Sequence, residues 1–468
     1  MAEKRVEKAN GILKMQHLPE SRFLLHLSWP VILSLFVQGL YGLVDSMYLA
    51  QLGEKVLSAT SLALVVQNLQ TAIFTGIATG MNAVISRALG AGEFERSRSA
   101  VVCSGVVQFA FAIAFMLFGV FGAGYYYEQT TTDAEVIAYG IAYLRPCFLF
   151  SLAVAAQITF ERLLQSSGIM TYMLISQATG SLVNIVLDPI MIFGYLGCPA
   201  MGIAGAAYAT IVGQAVAAAL ALYFNISKNR LLFERLWEKG RLRWSLISSI
   251  CRIGIPSAAM GITASLSSYC INRLLIDFSA TANAAFGVYI KLERVGLVPA
   301  QGFSAGLVTM IAFFYGRRDQ ERIRQTVKWG LIYIGSWSFL CTMAFVLIPE
   351  WLFAPFKPTQ QMLDVGLPAF RIIGSTFLVS GYMAVLSSYL QAVGHSIFSL
   401  LISLARQVLV RMPAAILLSK LGKIILIWLS WPISEVVSDA VCIVFFFIVY
   451  RKIAASLRLD ERQLELQL

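Results

Sequence analysis

The segment KNRLLFERLWEKGRLRW, residues 228–244, is the one long polar and basic stretch within an otherwise apolar chain. The 468 residues are 58% hydrophobic and 13% charged, whereas soluble domains are about 45–50% apolar and about 25% charged. On both sides of this segment, apolar runs of ~20 residues or more recur, which is typical of membrane helices. We therefore expect an all-α integral membrane protein whose two halves are joined by this segment.

Twelve membrane spans are predicted, six on each side of the central segment. Their approximate limits are 24–50, 56–82, 97–125, 134–160, 170–196, 202–226, 247–275, 281–309, 325–350, 362–390, 396–419 and 425–450. The predicted organisation is an N-terminal arm (1–22), a six-helix lobe (23–227), an inter-lobe loop (228–246), a second six-helix lobe (247–451) and a tail (452–468).

The basic residues lie almost entirely on one side of these spans. The termini and the alternate connections that share their side contain 25 Lys and Arg residues, and the opposite connections contain only Lys55, Lys357, Lys420 and Lys423. Because basic loops remain in the cytoplasm, both termini are expected on the cytoplasmic side of a plasma (inner) membrane. The net charge of +11 is thereby explained by topology, and we expect no nucleic-acid partner.

The two halves repeat at a constant offset of 226 residues. The matching pairs are Pro30 and Pro256, Gly90 and Gly316, Glu95 and Glu321, Arg96 and Arg322, Arg98 and Arg324, Arg145 and Arg371, Gln165 and Gln391, and Gly168 and Gly394. This pattern indicates a duplicated six-helix unit. Since six is even, both copies have the same orientation, as in transporters whose parallel repeats are related by a pseudo-twofold axis.

Two acidic residues and a threonine lie at one predicted depth in the first half. Asp45 is eight residues before Gly53, at the outer end of the first span, and Asp188 is nine residues before Gly197, at the outer end of the fifth. Thr210 is about eight residues into the sixth span, which runs in the opposite direction. At 1.5 Å per residue, all three lie roughly 12 Å below the outer surface, so they could form one site.

Helical spacing adds further oxygen ligands to this site. Tyr41 and Gln38 share a helix face with Asp45, and Asn184 lies one turn before Asp188. Pro189 cannot donate a backbone hydrogen bond, which frees the carbonyl four residues earlier. These groups suit a proton or a hard monovalent cation such as Na⁺, and two buried acids without a basic partner favour uptake of one. The alternative is a buried hydrogen-bond network that only fixes helix packing.

Other chemistry has little support in the sequence. Glu293, in the eighth span, is a possible accessory acid that we expect to have cationic neighbours. The seven cysteines are scattered and predicted to serve in packing, and no metal-ligand spacing, nucleotide-binding loop or catalytic arrangement stands out. We therefore expect no enzyme activity, no cofactor and no metal beyond Na⁺ at the coupling site.

Several motifs in order resemble the multidrug and toxic compound extrusion (MATE) family. They are P-x14-D from Pro30 to Asp45, followed by LAQLG and Ala59, then ISRALGAGE (85–93), N-x3-D-P (184–189) and GIAGAAYAT (202–210). The resemblance extends from about Leu24 to Tyr450. It implies twelve helices in two lobes and export of cationic or amphipathic organic compounds in exchange for H⁺ or Na⁺.

Within that family the sequence resembles the DinF-like or MepA-like prokaryotic branch, whose coupling site lies in the N-terminal lobe. Its site residues correspond to Tyr41, Asp45, Asn184, Asp188 and Thr210. The NorM-like branch has acids on the seventh and tenth helices, and here residues 374–390 contain no carboxylate. The resemblance therefore implies coupling in the first lobe.

Three functions are weighed for this sequence. The first is a cation-coupled antiporter for organic compounds, expected to be a monomer in the lipid bilayer. The second is a flippase for a lipid-linked or polysaccharide precursor, which would require a strongly cationic cleft and often extra helices. The third is a receptor or membrane enzyme, which gives no reason for the duplication. The duplication and the buried acids favour the first.

Overall fold

A computed structural model describes residues 18–234, 236–356 and 358–465, and these residues form helices without any β-strand. Residues 1–17 of the predicted arm and the last three residues of the tail lie outside the described residues. The long helices are α1 (Glu20–Ala50), α2 (Glu54–Gly90), α3 (Phe94–Thr130), α4 (Ala134–Leu149), α5 (Ser151–Ser166), α6 (Met170–Phe193), α7 (Ile203–Lys228), α8 (Trp244–Phe278), α9 (Ala280–Arg317), α10 (Gln320–Leu347), α11 (Gln360–Gly374), α12 (Phe377–Ala392), α13 (Ser396–Ser419) and α14 (Ser430–Glu465).

The prediction of an all-α membrane protein is confirmed. Ten described helices are long and apolar enough to span a bilayer, and the number rises to 12 when two bent pairs each count as one span. The bent pairs are α4 with α5, at an angle of 49°, and α11 with α12, at 41°. They fall where the sequence predicts single spans at 134–160 and 362–390, so each of these two segments is a bent pair of helices and not one continuous helix.

The repeat in the sequence is also a repeat of helix boundaries. Equivalent helices begin at Phe94 and Gln320, at Ser151 and Phe377, and at Met170 and Ser396, each pair being 226 residues apart. Both bent pairs occur at the same position in their copy. The offset therefore reflects a repeated structural unit and not only scattered identities.

The described chain forms two compact units, and helices α1 and α8 each contribute to both. One unit contains Leu33–Ala258, and the other contains Pro19–Ile32 together with the described residues from Ala259 onward. The first half of α8 therefore belongs to the first unit, and the first half of α1 belongs to the second. Each change of unit comes two residues after the equivalent prolines, Pro30 and Pro256.

Glycines let these helix halves pack closely in the same way in both units. In the first unit a Cβ at Gly80 would collide with the backbone of Ile250 and Gly254. In the second unit a Cβ at Gly306 would collide with the side chains of Ser28 and Leu24. Residues 250 and 254 are the 226-residue equivalents of 24 and 28, so the same contact is made twice with exchanged partners.

Candidate functional site

The site in the first unit begins with a close approach of α6 and α7. A Cβ at Gly213 on α7 would lie 2.7 Å from the Gly180 carbonyl oxygen and 3.0 Å from the Asn184 Cβ on α6. The absence of a side chain at position 213 therefore lets the α7 backbone approach Asn184. Thr210, one turn earlier on α7, is brought to the same level as Asn184.

The Asn184 amide links the polar side chains of the two helices. Its Nδ2 donates to Asp188 Oδ1 at 3.2 Å and to Thr210 Oγ1 at 3.3 Å. Asp188 has no exposed surface and Asn184 is 3% exposed. The structure thus brings together three of the predicted residues, and both amide protons of Asn184 are used.

Asp45 and Tyr41 on α1 complete the cluster. Both side chains are half-buried. The Asp45 carboxylate acts electrostatically on Asp188, and both carboxylates act electrostatically on Tyr41. No Lys or Arg among the described residues acts comparably on either carboxylate. With both acids ionised, the cluster carries two negative charges without a counterion, which is costly in a low-dielectric interior.

Three buried oxygen atoms of this cluster have no hydrogen-bonding partner among the described residues. They are Asp45 Oδ1, Asn184 Oδ1 and Asp188 Oδ2. Pro189 lies inside α6 and leaves the carbonyl of Ile185 without its usual helical donor. Since carboxylate, amide and carbonyl oxygens are acceptors, the cluster can accept a proton or coordinate a hard cation.

A second wall of the site was missed by the sequence analysis. Gln67 on α2 hydrogen-bonds to the side chains of Tyr143 and Cys147 on α4, and both of these interact electrostatically with Asp45. Cys147 is also part of the apolar core of this unit. The spacing of four residues between Tyr143 and Cys147 was the only available signal, and it is equally typical of packing residues.

The two predicted accessory residues lie elsewhere. Gln38 is exposed on α1, and no hydrogen bond joins it to the cluster among the described residues. Glu293 belongs to the second unit, where its carboxylate accepts from Tyr289 Oη at 3.3 Å. The cations that act on Glu293 are Arg411 and Arg406, which lie on a different helix.

These arginines form a separate polar cluster between α13 and α14. Arg411 Nη2 lies 3.1 Å and Arg406 Nη1 3.7 Å from the same Glu435 oxygen. Both arginines belong to a π-helical segment, Ala405–Arg411, and the Arg411 guanidinium lies 5.0 Å from the ring centroid of Trp431. Unlike Asp45 and Asp188, Glu435 therefore has basic partners.

No group of three or more His, Cys, Asp or Glu side chains that could hold a metal ion occurs among the described residues. The first cluster has only two carboxylates, and its other oxygens come from amide, hydroxyl and carbonyl groups. This donor set suits a proton or a monovalent cation better than a transition metal.

The family model described as MatE matches the chain twice, over residues 30–190 and 256–417. The two matches begin 226 residues apart, at the equivalent prolines. The site on α1 and α6 lies in the first matched segment.

Individual relatives match over nearly their whole length. The FAD transporter of Shewanella oneidensis is 24% identical and the match covers 91% of this chain and 94% of the relative. The multidrug export protein MepA of Staphylococcus aureus is 22% identical, with 95% and 97% covered. The crystal structure of "MATE in the straight conformation" has a TM-score of 0.87 at 20% identity and covers 94% of this chain and 98% of that chain.

Proposed function

Since the chain belongs to the MatE family of membrane transporters, we propose that it is an antiporter that exports organic compounds in exchange for H⁺ or Na⁺. As a member of this family it is a transporter and not an enzyme, and it needs no cofactor. The similarity to a multidrug exporter and to an FAD transporter supports amphipathic organic molecules as cargo. We assign the coupling site to Asp45 and Asp188, with Tyr41, Asn184 and Thr210 completing its shell.

One observation supports this assignment above the others. Asp45, Asn184 and Asp188 each have a buried oxygen without a hydrogen-bonding partner among the described residues, and no described Lys or Arg acts on either carboxylate. A network that served only packing would pair its oxygens with donors, as buried polar groups generally do. Uptake of a proton or Na⁺ supplies the missing interaction and lowers the negative charge.

Ion uptake would act on helix α1. Asp45 lies on the part of α1 that belongs to the first unit, while the same helix begins in the second unit. Loading the site changes the charge that α1 carries at Asp45 and therefore its packing. The ion can then shift the balance between inward-open and outward-open states by its difference in affinity for the two.

The membrane setting follows from the charge bias of the connections. We propose a multi-pass protein of the inner membrane, with both termini in the cytoplasm, working as a monomer in the lipid bilayer. A flippase for a lipid-linked precursor is not favoured, because the similar relatives include an FAD transporter and a multidrug export protein.

The test is efflux of a fluorescent organic cation from proteoliposomes under an imposed pH or Na⁺ gradient. We expect Asp188→Asn and Asp45→Asn to lower gradient-driven efflux at least about tenfold, since a neutral amide cannot take up a proton and lacks the negative charge that holds Na⁺; tenfold corresponds to about 1.4 kcal/mol. Asp364→Asn is the matched control, because Asp364 is exposed on α11. Undiminished efflux in both site variants would overturn the assignment, and absence of efflux from folded wild-type protein under either gradient would overturn the antiporter itself.

A further inference from the structure

A cavity of about 710 Å³ lies at the end of the first unit where α3 and α8 begin. Its charged lining residues are Arg96, Arg98, Lys239, Arg243, Glu93 and Glu95. Helices α3 and α8 start at Phe94 and Trp244, in the connections that the charge bias assigns to the cytoplasm. The cavity is therefore at the cytoplasmic surface of the membrane, whereas the acids of the coupling site are predicted to lie roughly 12 Å below the opposite surface.

Both carboxylates of the cavity already have partners. Glu93 Oε2 lies 2.9 Å from Arg96 Nη1, and Glu95 Oε1 lies 2.6 Å from Lys239 Nζ. Arg98 and Arg243 remain as two positive charges in excess. Arg98 Nε is buried and has no hydrogen-bonding partner among the described residues, which indicates a position for an acceptor.

The backbone that carries Arg243 is fixed to α3. The Arg241 backbone N–H donates to Ser99 Oγ at 3.2 Å, and the Arg243 N–H donates to Cys103 Sγ at 3.3 Å. Gly240 lies close enough to α3 that a Cβ there would be 2.8 Å from Val102 Cγ2. The backbone of the inter-lobe segment that carries these basic residues is thus held against α3 and is not a freely solvated loop.

In the second unit, the chain itself places a carboxylate against the equivalent basic residue. There, Arg322, the equivalent of Arg96, has its Nε 3.1 Å from Glu20 Oε1. The 226-residue equivalent of Glu20 is Leu246, which lines the cavity of the first unit. Since Leu24 and Ile250 make equivalent contacts with Gly306 and Gly80, the two positions correspond in structure as well. A carboxylate of the chain therefore occupies this place in the second unit, and a neutral side chain occupies it in the first.

We propose that the cavity of the first unit binds a phosphate group, carried either by an anionic lipid headgroup or by a soluble phosphate. Arginine guanidinium groups match phosphate oxygens in bidentate geometry, and the starts of α3 and α8 add favourably oriented backbone dipoles. The volume exceeds that of a bare ion and suits a headgroup. The cavity also lies among the basic connections of the protein at the membrane surface, within reach of anionic lipids.

The experiment measures binding to the full-length protein in nanodiscs of zwitterionic lipid. Phosphatidylglycerol, added at low mole fraction, tests the lipid source, and pyrophosphate tests the soluble source, with native mass spectrometry counting the bound molecules. We expect one saturable site for at least one probe. Binding of only phosphatidylglycerol identifies a lipid headgroup, and binding of only pyrophosphate identifies a soluble ligand; a wild-type protein that binds neither overturns the proposal.

Two variants address the residues directly. The double variant Arg98→Gln/Arg243→Gln should bind about tenfold more weakly, because charge-assisted hydrogen bonds are lost. Arg324→Gln is the matched control, since Arg324 is the equivalent of Arg98 in the second unit and is exposed beside Glu321; it should bind as wild type does. Equal losses in both variants would indicate only general surface charge and would overturn the site.

Leu246→Glu introduces the carboxylate that the other copy has. It should abolish binding while every basic residue remains, and Leu246→Gln controls for the cost of a polar side chain at this buried position. Unchanged binding in a folded Leu246→Glu protein would contradict the proposal. None of these variants alters the coupling acids, so gradient-driven efflux separates failure of this site from failure of the proposed transport function.

Discussion

At the scale of single residues, the Asn184 amide sets the geometry of the coupling site. Its two protons are donated to Asp188 and Thr210, and its own oxygen remains without a partner among the described residues. Thr210 therefore interacts with Asn184 and not directly with the Asp188 carboxylate. Its hydroxyl oxygen can serve as a ligand for a metal cation, whereas a proton on Asp188 does not require it.

Replacement of Thr210 by valine should therefore distinguish the two ions. Thr210→Val keeps the shape but removes one oxygen, so Na⁺-driven efflux should fall at least about tenfold, the loss expected for an interaction with a charged group. Efflux driven by a pH gradient should change less than about twofold, which is well below the tenfold effect that corresponds to about 1.4 kcal/mol. Thr79→Val is the control, because the Thr79 hydroxyl donates only to the Thr75 carbonyl of its own helix. Equal loss under both gradients would contradict this distinction.

Sequence alone was sufficient to group Asp188, Asn184 and Thr210, because depth along a helix can be counted in residues. It was not sufficient for Tyr143 and Cys147, which interact electrostatically with Asp45 from another helix, or for Gln67, which hydrogen-bonds to both. Partners across helices depend on rotation about each helix axis, and a uniformly apolar span leaves that rotation undetermined. The role of all these residues in coupling remains a prediction.

At the scale of helices, the contact between α6 and α7 determines whether the site can form. Gly180 and Gly213 face each other, and a Cβ on either would come within 2.7 Å of the other's carbonyl oxygen. Such a distance cannot be accommodated without moving one backbone. The separation of the two helices is thus set by residues that carry no chemistry themselves.

Gly213→Ala should lower both stability and transport. Separating α6 from α7 should cost about 1–3 kcal/mol, as overpacking typically does, and should lengthen the contact between Asn184 and Thr210. Gly105→Ala is the control, since a Cβ there has no neighbour within 4 Å and alanine in a helix is favoured over glycine by about 0.5–1 kcal/mol. Thermal unfolding in detergent, followed by efflux assays, measures both effects; a Gly213→Ala protein as stable as Gly105→Ala would show that the contact is loose.

The sequence predicted where the membrane helices lie but not their breaks. Residues 134–160 and 362–390 each have the composition of one span, and the structure bends both, by 49° and 41°. The prolines of these segments, Pro146 and Pro368, lie inside α4 and α11, several residues before the bends. Hydropathy averages over such a break, because the apolar character of the segment continues through it.

At the scale of the whole molecule, the two compact units do not coincide with the two halves of the sequence. Residues 245–258 follow the central segment but belong to the first unit, and Pro19–Ile32 precede it but belong to the second. Periodicity and hydropathy are local properties and do not indicate which unit a helix packs in. The lobe boundaries predicted from the sequence therefore describe where the repeat begins and ends in the sequence, and as limits of folded lobes they remain a prediction.

Division of the chain in the central segment should give two fragments that depend on each other. Expressing the chain as two polypeptides divided after Phe233 separates each unit from a helix segment that packs in it. The first unit loses the segment that contacts Gly80, and the second loses the segment that contacts Gly306. We expect neither fragment to be recovered alone in mild detergent and both to copurify when they are coexpressed, as measured by size-exclusion chromatography with a tag on one fragment. A fragment that is monodisperse by itself would contradict this.

The exchange of helix halves also concerns the ancestry of the chain. The two exchanged contacts are the same contact made twice, with Gly80 against residues 250 and 254 and Gly306 against residues 24 and 28. This is the arrangement that domain swapping gives to a homodimer, here joined into one polypeptide. Gene duplication would then have preserved a pairing that already existed, and fusion would have freed each copy to diverge. The first copy has Asp45, Asp188 and Glu20, and the second has Leu246 at the position equivalent to Glu20.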